Sequence, residues 1–88
     1  MKAIITVIGM DKVGIIAGVC TLLAQNEINI LDINQTVMDQ YFTMNMLVDI
    51  SKVQNFDAVS DALTQKGQEL GVSIRLQREE ILLAMHQI

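Results

Sequence analysis

The chain contains no proline, no tryptophan, a single cysteine and a single histidine among its 88 residues. The lone Cys20 excludes an internal disulfide and suits a reducing, cytoplasmic setting. No apolar run approaches the roughly 20 residues of a membrane span, because Lys2, Asp11 and Lys12 interrupt the most hydrophobic end. Residues 3–8 form too short a stretch for a secretory signal, and no cleavage pattern follows them. Cations are scarce too, with six Lys and Arg against ten Asp and Glu and a net charge of −4. That balance cannot displace the counterions of a phosphate backbone, which excludes nucleic acid as a partner. Without proline, biased tracts or linker-like stretches, residues 1–88 read as one domain, with a core over about 2–78 and a C-terminal helix over about 79–88.

What the chain has in abundance is aliphatic side chains. Hydrophobic residues make up 51% of it and aromatics only 3%, so Ile, Val, Leu and Met must pack the core. A chain this short buries only about 60% of its unfolded surface, and so rich an apolar load on it points to an interface between copies. Lys2–Ile8 is β-branched and nearly all apolar, as a central strand covered on both sides should be. Two glycines then break the pattern in Gly9–Gly14. From Val13 to about Asn26, Ile16, Val19, Cys20 and Leu23 recur on one helical face, with Asp11 as the expected N-cap. Asn29–Met38 and Tyr41–Ile50 alternate as two strands, two residues apart at Asp39-Gln40, although that turn lacks the glycine a type I′ hairpin prefers. In the first of them Leu31, Ile33 and Val37 point one way and Asp32, Asn34 and Thr36 the other. Asn55 caps a second helix with Phe56, Val59, Leu63 and Leu70 on its apolar face, and Gly71 ends it. Val72–Arg78 alternates again, and Ile81, Leu82, Met85 and Ile88 give the terminal segment an apolar helical face that needs a surface to cover. The order is βαββαβ. Right-handed crossovers make it an α+β, ferredoxin-like sandwich, a four-stranded antiparallel sheet with two helices on one face.

Candidate chemistry is sparse. The Gly9–Gly14 loop lets backbone approach another group, and the helix it opens can hold a carboxylate or phosphate on its first N–H groups. It lacks the Lys-Ser/Thr of a P-loop and the third glycine of a dinucleotide fingerprint, and an ordinary strand-to-helix turn explains it as well. His86 lies near the end of the terminal segment, and Cys20 sits mid-helix with no cationic cluster to lower its pKa. Asp11, Asp32, Asp39 and Asp49 have no metal-ligand spacing, while Met44 and Met46 read as core filler. An acylphosphatase-like enzyme would need an arginine in the first loop, which offers only Lys12. An RNA-binding sheet would need aromatics on its central strands, and the first strand has none. No catalytic residue, metal site or cofactor is expected.

Gly9-Met10-Asp11-Lys12-Val13-Gly14-Ile15-Ile16-Ala17, then Leu23-Ala24, then Ile28-Asn29-Ile30-Leu31-Asp32, together resemble an ACT domain over about residues 2–78. The likeness is to stand-alone ACT proteins of bacteria and archaea and to the glycine-cleavage repressor type. It implies a regulatory protein that binds an amino acid or similar small metabolite at a dimer interface, as a homodimer or a tetramer of such units. It further implies that Asp11, Lys12, Val13 and Gly14 of one domain meet Asn29 and Ile30 of its neighbour around the ligand. Helix-start amides suit the ligand's carboxylate, and the side-chain acceptors of Asp11 and Asn29 suit its ammonium. The alternative is a regulatory subunit of the same fold that acts through a protein partner and has lost its pocket.

Overall fold

The computed structural model describes residues 1–10 and 14–78. They form β1 (Lys2–Met10), α1 (Ile15–Gln25), β2 (Asn29–Met38), β3 (Tyr41–Asp49), α2 (Phe56–Leu70) and β4 (Val72–Arg78). The four strands make one antiparallel sheet in the order β2-β3-β1-β4. This is the ferredoxin-like arrangement expected from the pattern, with each helix bridging two strands that a third one separates.

Alternation decides what each strand gives to the core. Ala3, Ile5 and Val7 of β1 turn inward beside Val48, Met46 and Met44 of β3, and Ile74 and Leu76 of β4 complete the layer. All of these are buried, together with Phe42, and the helices add Ile15, Val19, Leu23, Val59 and Leu63. The opposite sheet face carries no helix among the described residues. Among the described residues β1 is therefore central but covered on one side only, and Ile8 on its outer face is 52% exposed. Cover on the second face is not seen among the described residues, so there the apolar run of β1 serves two different surroundings.

α1 differs from its reading in two ways. Its N-cap is Gly14, in the left-handed region at φ 94° and three residues beyond Asp11, so that aspartate is not the cap residue. Its buried residues are Ile15, Val19 and Leu23, whereas Ile16 is 39% exposed and Cys20 half-buried. Adjacent isoleucines leave the rotation ambiguous in sequence, and packing on the sheet selects Ile15. The helix ends in a Schellman motif. Ile28 N–H donates to the Leu23 carbonyl at 3.0 Å and Glu27 N–H to that of Ala24 at 3.2 Å, with Glu27 at φ 57°.

α2 behaves as read at both ends. The Asn55 side chain accepts from Ala58 N–H at 3.1 Å, and Gly71 stops the helix at φ 74°. Gly67 lies buried within it, a position the apolar pattern passes over. In the β2–β3 hairpin, Met38 pairs with Tyr41 across Asp39-Gln40, and only Asp39 has positive φ, so the turn is not type I′. A bulge between Ile30 and Asp32 shifts the register, leaving Ile30, Ile33 and Val37 on the helix side and Asp32, Asn34 and Thr36 on the open side.

Candidate functional site

Asp11, Lys12 and Val13 lie outside the described residues, and so do His86 and the terminal segment 79–88. Of the expected site, Gly14, Asn29 and Ile30 are in view. Gly14 brings no side chain to cap α1, and its carbonyl accepts the first helical hydrogen bond from Gly18 N–H at 2.9 Å. Among the described residues, a Cβ built on it would touch nothing within 4 Å. Asn29 is exposed and opens β2, while Ile30 is half-buried and packs against the core beside Val48.

These residues do not meet within one chain. Gly14 precedes α1 and Asn29 follows it, and eleven helical residues span about 16 Å. The sheet separates them in the same sense. Met10, Tyr41 and Met38 align at one end, and Lys2, Asp49 and Asn29 at the other, roughly 27 Å apart along β1 at 3.4 Å per residue.

Around Asn29 the fold assembles groups that reading along the chain does not bring together. Glu27, Asn29, Asp49, Ser51 and Lys52 line a small open cavity of about 110 Å³. The Ser51 hydroxyl and its backbone N–H both donate to Asp49 Oδ1, the latter at 2.9 Å, and the terminal ammonium of Met1 lies 3.9 Å from the same oxygen. The two Ser51 bonds hold the Asp49 carboxyl below its ordinary value, with a smaller contribution from the nearby positive charges. Counting outward from the hairpin turn would pair Asn29 with Ile50. The bulge moves it to Asp49, and nothing in the composition announces a bulge there.

β2 forms one edge of the sheet, and all of it is exposed except the half-buried Ile30. It is ten residues long, carries Leu31, Ile33, Val37 and Met38 exposed, and has neither a basic residue nor a proline. Edge strands usually bear such residues to prevent pairing with another chain. The other edge, β4, is seven residues long and carries Arg75 and Arg78.

A βαββαβ sandwich with this strand order and an exposed second strand at its edge is a ferredoxin-like domain fold. The family model for the ACT domain matches residues 2–77, and the chain belongs to the ACT domain family. It is 60% identical over its whole length to a UPF0237 protein of Clostridium acetobutylicum, which it also covers completely. Among solved structures, an ACT domain protein from Streptococcus pneumoniae superposes with a TM-score of 0.83 at 46% identity, each chain covered over 93%. Two regulators share the fold at lower identity. A putative glycine cleavage system transcriptional repressor gives a TM-score of 0.74 at 27% identity, over 86% of this chain and 44% of the other. The regulatory subunit of aspartate kinase from Thermus thermophilus, in its ligand-free form, gives 0.68 at 29%, over 89% and 51%.

Proposed function

We propose that this protein is a non-catalytic regulator that binds an amino acid or similar small metabolite where two copies of the chain meet. Asp11, Lys12, Val13 and Gly14 of one copy and Asn29 and Ile30 of the other surround the ligand. Its carboxylate lies on the first-turn amides of α1, where the N–H groups lack helical partners and the dipole is positive. Its ammonium lies toward the Asn29 side-chain oxygen. No metal, cofactor or covalent step takes part, and the setting is the cytoplasm.

One observation carries this reading. Gly14 and Asn29, the described residues nearest the two halves of the proposed site, stand at opposite ends of α1, and β2 is the edge that can unite them. Antiparallel pairing of β2 with β2 of a second copy sets the partner's first β2 residues beside Met38. That is the end of the sheet at which β1 hands over to Gly14. The same pairing satisfies the backbone groups along both edges and covers Ile33 and Val37. A tetramer of two such dimers leaves this geometry unchanged.

The test is a thermal-shift and calorimetric screen of the full chain against the standard amino acids. Binding by at least one of them is expected, abolished by Gly14→Asp, which sets a carboxylate against the ligand's own, and weakened by Asn29→Ala. A screen with no shift for any amino acid overturns the reading.

A further inference from the structure

β1 and β3 run antiparallel, so α1 ends and α2 begins at the same end of the sheet, the end that Lys2 and Asp49 share. Between the α1–β2 corner and the β3–α2 loop lies an open cleft of about 370 Å³. Small-ligand sites run from roughly 300 to 1,000 Å³. The half-buried Val53 and the buried Val59 supply its apolar lining. Its polar lining is Gln25, Asn26 and Glu27 from the corner and Lys52, Gln54 and Asn55 from the loop.

Hydrogen bonds already made divide these two walls by polarity. Asn26 Nδ2 donates to the Leu22 carbonyl at 2.8 Å, which leaves Oδ1 as an acceptor beside the Glu27 carboxylate. Across the cleft the reverse holds. Asn55 Oδ1 accepts from Ala58 N–H at 3.1 Å, which leaves Nδ2 as a donor on the wall that carries the Lys52 ammonium. Neither Glu27 nor Lys52 forms an ion pair with any described residue. One wall thus offers acceptors and negative charge, the other donors and positive charge. Glycine would also suit the backbone of Glu27, at φ 57°, better than glutamate does. Strained residues of this kind gather at functional sites.

We propose that this cleft binds the zwitterion of a dipeptide within a single chain, its ammonium on Glu27 and Asn26 and its carboxylate on Lys52 and Asn55. A free α-amino acid carries both charges on one carbon and cannot turn them to opposite walls. A dipeptide sets them on Cα atoms about 3.8 Å apart across a peptide bond, and the carboxamides of Gln25 and Gln54 suit that peptide group. The site is complete in one copy. It is therefore independent of the β2 edge and of the ligand proposed between copies.

Titration of the isotope-labelled full chain with alanyl-alanine, followed by nuclear magnetic resonance, tests the proposal residue by residue. Saturable shifts are expected in the backbone amides of residues 25–27 and 52–55 and in the side-chain amides of Asn26 and Asn55. At the cleft, alanine and the N-acetylated and C-amidated dipeptides, each unable to place both charges, should bind about tenfold more weakly or worse. Glu27→Gln and Lys52→Gln, both at exposed positions, should each weaken binding roughly tenfold with the circular dichroism unchanged. No saturable shift at the cleft, or equal binding by alanine or a blocked dipeptide, overturns the proposal. Shifts confined to Gly14 and its surroundings overturn it as well, while leaving the site between copies intact.

Discussion

Gly67 of α2 lies so close to the Val72 carbonyl that a Cβ on it would stand 2.7 Å from that oxygen. The contact sets the angle at which the chain turns out of α2, through Gly71, into β4. Alanine would favour the helix by about 1 kcal/mol in an open position. Here the obstacle is backbone, which cannot swing aside, and overpacking costs about 1–3 kcal/mol. Gly67→Ala should therefore destabilise the protein, read as a lower urea midpoint. Gly18→Ala is the contrast, because its Cβ would come closest to the tip of Leu70, at 3.2 Å, with Lys66 Cδ next at 3.8 Å. The Leu70 side chain can yield, and the substitution should be neutral or mildly stabilising.

The ends of the helices make a second prediction. The Asn55 side chain satisfies Ala58 N–H, so Asn55→Ala should cost about 1 kcal/mol while Asn55→Asp keeps the acceptor and most of the stability. At the end of α1, Glu27 adopts a left-handed conformation that favours glycine. Glu27→Gly should raise the unfolding midpoint, since relief of about 1 kcal/mol of strain exceeds the few tenths lost to a freer unfolded chain. A midpoint lowered by the glycine would mean that the Glu27 side chain holds the turn.

These positions show what was legible before the coordinates. β4 runs over the very residues its alternation marked, because a strand with one buried face states its own period, whereas β2 keeps its expected bounds but a bulge takes Leu31 out of its alternation. Asn55 and Gly71 were legible for a similar reason, each being a residue type whose chemistry suits one place in a helix. Glu27 was not, because its conformation is imposed by the bond from Ile28 to the Leu23 carbonyl. The rotation of α1 was hidden as well, since Ile15 and Ile16 are equally apolar and only the sheet distinguishes them. At the candidate site, the loop and the start of β2 could be named from their resemblance to a family. Their separation by the length of α1, and the company of Asp49 and Ser51 around Asn29, required the register of the sheet.

Asp49 provides a pH dependence with a definite sign. Hydrogen bonds from Ser51 lower its folded-state pKa below the ordinary value of 3.8. A carboxyl depressed in the folded state stabilises the protein above its unfolded pKa, and that contribution fades as pH falls through the folded one. Ser51→Ala should thus lower the urea midpoint more at pH 7 than at pH 2, since protonation of Asp49 as the pH falls weakens what the hydroxyl contributes. An equal loss at both values would assign the effect to the turn geometry and not to the carboxylate.

The bare β2 edge gives the prediction on which the proposed site depends most directly. Val37 is 56% exposed and stands on the helix side of β2, opposite Phe42. Within one chain, lysine there has solvent for its ammonium, and surface changes of this kind usually alter stability by less than about 0.5 kcal/mol. Across a β2–β2 seam the same substitution introduces charge into the contact from both copies, the device natural edge strands use against pairing. Val37→Lys should therefore shift the sedimentation coefficient from dimer to monomer while the circular dichroism of the fold is kept. It should also abolish the amino-acid thermal shift, although Gly14 and Asn29 are untouched, because neither half of the site holds the ligand alone. A variant that remains dimeric and still binds would place the interface on another surface, and with it the meeting of Gly14 and Asn29 would be lost.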